Sequence, residues 1–303
     1  MRSRERKADA ILTADWHLRD DVPLCRTDDY WSAQARKVKF VNDLQVKYQC
    51  PVLLAGDLFD KARPSFFLVR WARINLPNRL MLVPGQHDLP NHSMKLLRDS
   101  GLGELITGNE EVCIAPTSGS PEQGFFVWGF PYGAQLAPNK YAEKGLVFVA
   151  LAHALTSPHA AGPWAKPVES VLNSLAGFNL VVCGDNHETF TYRNKRGQLL
   201  VSPGSLMRMD ADQAEHRPCV FLWHTDENTV EPVYLPIEED IVDRSHIEEE
   251  KARDTRMEAY RSKLKAGAKV GVSFEKNMER FLAENKVKDG VKSLVHLAME
   301  EER

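Results

Sequence analysis

Five short apolar runs punctuate the first two-thirds of the chain, and each ends in a turn carrying carboxylate, amide or imidazole groups. They read AILTADWH from residue 10, VLLAGDLFD from 52, LMLVPGQHD from 80, VFVALAH from 147 and LVVCGDNHE from 180. Runs of this length, rich in Val and Leu and lacking polar alternation, predict strands buried on both faces, which requires a sheet covered by helices. Helical spacing falls between them. Residues 29–49 place Trp31, Val38, Val41, Leu44 and Tyr48 on one face behind an Asp28 or Asp29 cap, and Pro64 is placed to open a second helix as its first residue. Strand-like pieces at 125–130, 189–201, 218–224 and 229–235 add a β-rich second half with Gly and Pro at its turns. The class is α/β.

After about residue 240 the pattern turns to Glu, Lys and Arg at helical spacing. Ser273 is placed to cap a helix through Phe274, Met278, Phe281 and Leu282, and Asp289-Gly290 separates it from a last helix with Val291, Leu294, Val295 and Ala298 inward. The expected division is an α/β domain over 1–240 and a helical region over 241–303, read either as packing helices or as an arm that docks a partner or faces DNA. With 303 residues, 43% of them apolar, the chain can bury one large core or two smaller ones. No stretch approaches the roughly 20 apolar residues of a membrane span, and Arg2, Arg4, Glu5, Arg6 and Lys7 are unlike a signal peptide, so no membrane partner is expected and the cytoplasm is the default compartment. Five scattered cysteines without a C-x-x-C pair predict buried free thiols, neither a disulfide framework nor a thiolate zinc site.

Side chains at the carboxyl ends of neighbouring parallel strands converge on one crevice. The five runs would pool three carboxylates (Asp15, Asp57, Asp185), four imidazoles (His17, His87, His153, His187) and the amide of Gln86. Oxygen and nitrogen donors without thiolate suit manganese, iron or zinc in an open catalytic site. The donors are too many for one open ion; two ions about 3.5–4 Å apart, bridged by one carboxylate, use them economically. Asp57, on the glycine turn of the second run, is the natural bridge.

D-x-H at 15–17, G-D at 56–57, G-x-H-D at 85–88, the isolated His153 and G-x-x-H at 184–187 resemble, in order, the motifs of the calcineurin-like metallophosphoesterases. ADWHL at 14–18, AGDLFD at 55–60 and SPGSLMR at 202–208 further resemble the SbcD-type DNA-repair nucleases, particularly the compact phage-borne forms. The resemblance covers roughly residues 8–236. It implies a four-layer sandwich of two mixed β-sheets flanked by helices, with a C-terminal helical extension. It also implies one metal on Asp15, His17, Asp57 and His187 and another on Asp57, Gln86, His153 and Asp185. His87 would protonate the leaving oxygen, with Asp88 orienting its ring. Two positions depart from the family pattern: Gln86 stands where Asn is usual in G-N-H-D, and Asp185 where His is usual in G-H-x-H. Both keep a lone-pair donor, and the added carboxylate favours a hard ion, manganese ahead of magnesium, iron or zinc.

The function expected on this basis is a metal-dependent DNA nuclease, exonuclease or endonuclease, in DNA repair, recombination or phage DNA metabolism. Its partners would be DNA, an SbcC-type coiled-coil ATPase and a second copy of the chain. The alternatives are a small-molecule or protein phosphoesterase on the same scaffold and a non-catalytic DNA-end-binding scaffold. A net charge of −3 gives no global signal for nucleic acid, so DNA must meet a local patch. Two acid-free runs qualify: 61–79, with Lys61, Arg63, Arg70, Arg73 and Arg79 among Phe66, Phe67 and Trp71, and 189–209, with Arg193, Lys195, Arg196 and Arg208. Their bland readings are an amphipathic helix and a basic hairpin. His92 has substrate contact or helix capping open to it, and His159, His216, His224 and His246 lack motif context and read as surface or packing residues.

Overall fold

The computed structural model describes residues 6–109, 111–117, 119–122, 124–158, 165–243, 245, 257, 274–285, 287–293 and 295. The chain divides into two compact units, Met1–Asp243 and Arg244–Arg303. In the first, the strands are β1 (Ala10–Thr13), β2 (Val52–Leu54), β3 (Leu80–Leu82), β4 (Val112–Ile114), β5 (Ser120–Pro121), β6 (Phe126–Phe130), β7 (Phe148–His153), β8 (Thr156–Ser157), β9 (Lys166–Pro167), β10 (Leu180–Gly184), β11 (Phe190–Arg193), β12 (Leu199–Ser202), β13 (Cys219–His224) and β14 (Thr229–Tyr234). Its α-helices are α1 (Tyr30–Tyr48), α2 (Phe66–Asn75), α3 (Gly101–Ile106) and α4 (Val168–Ser174).

Two six-stranded mixed sheets form, in the orders β14-β13-β1-β2-β3-β4 and β11-β12-β10-β7-β6-β5. Strands β1 to β4 are mutually parallel, as are β6, β7, β10 and β12, while β13, β14, β11 and β5 join antiparallel. Alternate residues of each strand face opposite sides. Leu12, Leu53, Met81, Val149, Leu151 and Val182 fill the space between the sheets. Ile11, Val52, Leu54 and Leu82 pack outward against Val38 and Val41 of α1 and Leu68 and Ala72 of α2. On the far side, Ala150, Val181 and Leu200 pack against Val168, Val171 and Leu172 of α4. The result is the four-layer α/β sandwich expected. Burying each Val or Leu is worth roughly 1.5–3 kcal/mol against about 1 kcal/mol net for a ladder hydrogen bond, so side-chain burial sustains strands as short as β2 and β3.

Helix α1 starts where expected, with Asp29 accepting from Ser32 N at 3.1 Å. Helix α2 does not open on Pro64: Ser65 is its cap, accepting from Leu68 N at 3.1 Å, so proline lies one residue outside. Four cysteines are buried as expected, whereas Cys113 is exposed, and all five are free. The second unit contains helix α5 (Phe274–Glu284). The expected Ser273 cap and the positions Leu294 and Ala298 lie outside the described residues, as do His159 and His246. Among the described residues no helix is long and apolar enough to cross a membrane.

Candidate metal centre

Each expected ligand stands at or just past the carboxyl end of a parallel strand. Asp15 and His17 follow β1, Asp57 follows β2, Gln86 and His87 follow β3, His153 ends β7, and Asp185 and His187 follow β10. The first two loops continue the ladder beyond their strands, with Asp15 N donating to Gly56 O at 3.1 Å and His17 N to Asp57 O at 3.0 Å. Four of these residues hold left-handed backbone: Asp15 (φ 49°), His17 (44°), Asp57 (52°) and Asp185 (81°). Such conformations cost free energy in non-glycine residues and gather at functional sites. The preceding glycines make room: a Cβ on Gly56 would lie 2.0 Å from His153 Nδ1, and one on Gly85 2.0 Å from Asp57 Oδ1.

The side chains form two adjoining sets that share Asp57. In one, His17 Nε2 faces His187 Nε2 at 3.1 Å and Asp57 Oδ2 at 3.7 Å. In the other, His153 Nδ1 donates to Ala55 O at 2.7 Å, which turns Nε2 inward, 2.7 Å from Gln86 Oε1, 3.4 Å from Asp57 Oδ2 and 4.0 Å from Asp185 Oδ1. Gln86 donates through Nε2 to Asp185 Oδ1 at 2.8 Å. Asp15 accepts Asp185 N on both oxygens at 3.0 and 3.1 Å, and its carboxylate is within ligand-sharing distance of both His17 with His187 and Asp57 with His153. Asp57 Oδ1 accepts His87 N at 2.9 Å, but the fully buried Oδ2 has no hydrogen-bond partner. A buried carboxylate oxygen left unsatisfied between two inward ring nitrogens is costly unless a cation meets it. The donor set therefore suits two divalent cations, between which Asp57 and Asp15 would both be placed to act as shared ligands.

Burial and neighbouring charges pull the groups of the site in different directions. Burial lowers His17 to about 3, which favours its neutral, lone-pair-donating ring, and burial lowers His187 as well. Burial would lower His153 too, but the Asp57 and Asp15 carboxylates outweigh it and raise His153 to about 10. Burial raises Asp15 well above the usual range. Asp57 is lowered despite burial, because His153, His17 and His87 surround it.

The expected contact of Asp88 with His87 is absent. Fully buried, the Asp88 carboxylate accepts the backbone N–H groups of Phe59 and Gly85 at 3.0 Å each and of Leu58 at 3.3 Å, tying the β2 loop to the β3 loop. His87 is held instead by the backbone of Asp60, donating from Nδ1 to its carbonyl at 3.0 Å, with its ring edge-on to His17 at 4.8 Å. Asp60 is the residue that sequence reasoning passed over. Its carboxylate lies 3.7 Å from the buried, otherwise unpartnered His17 Nδ1, and only its place at the end of AGDLFD signalled it. Gln213 Nε2 lies 3.4 Å from His187 Nδ1. The turn at 202–205 braces the centre through backbone: Ser205 N donates to His187 O at 3.2 Å and Leu206 N to Asp15 O at 3.1 Å. His92 packs against Tyr132, ring centroids 5.9 Å apart, and Tyr132 in turn packs edge-on against His153 at 6.4 Å. His216 and His224 bond the carbonyls of Ser205 and Lys7, as packing residues do.

The two basic runs fare differently. On and beside α2, Phe66, Phe67 and Ile74 are exposed, Trp31 packs on Phe67 and Trp71, and Arg63 and Arg70 are exposed alongside. The second run is the hairpin β11–β12, in which Arg193 bonds the carbonyls of Gly197 and Asn228, and Arg208 is buried.

No protein-family model and no curated protein matches the chain. Among solved structures it is similar to a dimetal phosphatase from Danio rerio, at 13% identity and a TM-score of 0.47 over 76% of this chain and 98% of that one. It is also similar to a metallophosphoesterase from Sphaerobacter thermophilus, at 12% and 0.37 over 76% and 89%. A protein of Thermus thermophilus gives 15% and 0.47 over 76% and 100%.

Proposed function

We propose that this chain is a divalent-metal-dependent phosphodiesterase that cleaves DNA. The observation that supports it most is the unsatisfied Asp57 Oδ2, held between His17 Nε2 and His153 Nε2 where five parallel strands end. Two cations bound there, manganese by preference, would supply positive charge to the scissile phosphate and lower the pKa of the attacking water. The chain's own part is positional. His87, donating through Nδ1 to the Asp60 carbonyl, would as the imidazolium carry a second N–H at Nε2 and give that proton to the leaving oxygen. Gln86 and Asp185 hold one another beside His153, so the two departures from the family pattern act as one hydrogen-bonded pair of oxygen donors.

DNA as the substrate is supported by the SbcD-type resemblance and by the exposed Phe66, Phe67, Arg63 and Arg70, a surface suited to base stacking and phosphate contact. The SbcC-type ATPase and a second copy of the chain as partners rest on the resemblance alone. A smaller phosphodiester substrate is the second reading, favoured by the engagement of Arg193 and Arg208 within the fold. Purified protein incubated with end-labelled single-stranded and duplex DNA, and in parallel with a chromogenic phosphodiester, in manganese or magnesium, separates the two. Cleavage of the chromogenic diester alone would overturn the DNA reading; cleavage of neither would overturn the enzyme.

A further inference from the structure

Outside the metal centre, Arg26, Arg36, Lys37 and Arg208 line a cavity of about 40 Å³ that Glu238 and Ile241 help to close. Arg26, Lys37 and Arg208 are only 7%, 4% and 5% exposed. Two of the four cations are neutralised within the fold. Arg26 chelates Asp28 through Nε and Nη2 at 2.8 and 2.7 Å, and Arg36 pairs with Glu238. The other two are not: among the described residues, neither Lys37 nor Arg208 has a carboxylate in ion-pair contact. Lys37 Nζ donates to Leu206 O at 2.9 Å, and Arg208 donates to the carbonyls of Ala214 and Glu238. Those bonds use one of the three lysine donors and two of the five arginine donors. Two buried cationic side chains with spare donors, on which the carboxylates of Asp28 and Glu238 act only at longer range, are expensive in a folded protein.

We infer that this cavity is a binding site for a phosphate-type oxyanion, gripped by Lys37 and Arg208 with Arg26 and Arg36 beside them. An oxyanion matches the spare donors of Lys37 and Arg208 and would favour the protonated form of Lys37, and guanidinium forks fit tetrahedral oxyanions. The volume admits roughly three water-sized spheres at the 10–15 Å³ each needs, which suits a phosphate group. Lys37 also ties the occupant to the metal centre, because the peptide whose carbonyl it holds belongs to Leu206, whose N–H holds Asp15. The inference does not depend on the nuclease reading. Free inorganic phosphate and the terminal phosphate of a strand share this chemistry.

The test is thermal unfolding of the full chain, stripped of metal with chelator, in potassium phosphate against potassium chloride at matched ionic strength. Phosphate should raise the wild-type melting temperature saturably, and Lys37→Met should weaken the apparent dissociation constant about ten- to hundredfold. Without phosphate and below about pH 7, where Lys37 is charged in the folded chain, Lys37→Met should melt no lower than wild type. No rise above chloride in the wild type, or an equal rise in Lys37→Met, would overturn the site. Broadening of the phosphorus resonance of inorganic phosphate by wild-type protein, reversed by sulfate, gives the same answer without a variant; an unbroadened line would count against it. Competition by a 5′-phosphorylated oligonucleotide but not its hydroxyl counterpart assigns the site to strand ends, and its absence assigns it to free phosphate.

Discussion

His87 and Asp185 are the residues whose replacement separates chemistry from metal holding. His87→Ala removes a ring that the Asp60 carbonyl holds beside His17 and that is assigned to the leaving group, so the protein should still bind two cations while turnover falls by about 10²- to 10⁴-fold, the usual worth of a general acid. Elemental analysis beside a DNA-cleavage assay checks both halves; loss of metal would make His87 a ligand. Asp185 carries a second variable, its left-handed backbone at φ 81°. Asn tolerates that conformation better than Ala, so Asp185→Asn isolates the lost charge and Asp185→Ala adds strain. Both should weaken one of the two cations and cut activity, and only Asp185→Ala should also lower the metal-free melting temperature. If both variants bind two cations and cleave like the parent, Asp185 is not a ligand.

Helix α1 buries Lys37, and burial, with Arg26 and Arg208 nearby, lowers its pKa from 10.5 to about 7. Between about pH 7 and 10.5 the unfolded chain carries a proton that the folded chain has released, so this group makes stability rise with pH across that window, the full penalty applying below pH 7. The effect is on the order of a few kcal/mol, and Lys37→Met should flatten it in denaturant titrations run from pH 7 to 10. The elements themselves were unequally legible. Strands β1, β2, β3, β7 and β10 were readable because burial on both faces writes unbroken apolar runs, and α1 because its cap precedes a long periodic stretch. Strand β4 and helices α3 and α4 went unseen: three to seven residues are too few for a period to emerge, and Gly101 and Gly103 lower the helical signal of α3. The convergence of Asp15, His17, Asp57, Gln86, His153, Asp185 and His187 was inferable from their strand-end positions. The work of Asp88 and Asp60 was not, because they act on backbone groups of other loops and a sequence displays only side chains.

At the scale of the molecule, truncation after Asp243 should leave a unit that unfolds cooperatively and still binds metal; a broadened or lost transition would place residues 244–303 in the main core. Chelation should lower the melting temperature of the full chain and metal should restore it, by an amount growing with the logarithm of metal concentration. His87→Ala should show that same increment, and Asp57→Ala should lose most of it. The reason lies in where the donors stand: Asp15, His17, Asp57 and Gln86 project from one sheet, His153, Asp185 and His187 from the other. Whatever binds between them acts as a rivet through the two middle layers, reinforcing at the ligand end a seam already closed by buried aliphatic and aromatic side chains and by the bonds from His153 to Ala55 and from Asp185 to Asp15. A cell short of the right cation would then face a loosened protein as well as an idle one, and metal supply would set its lifetime against proteolysis together with its activity.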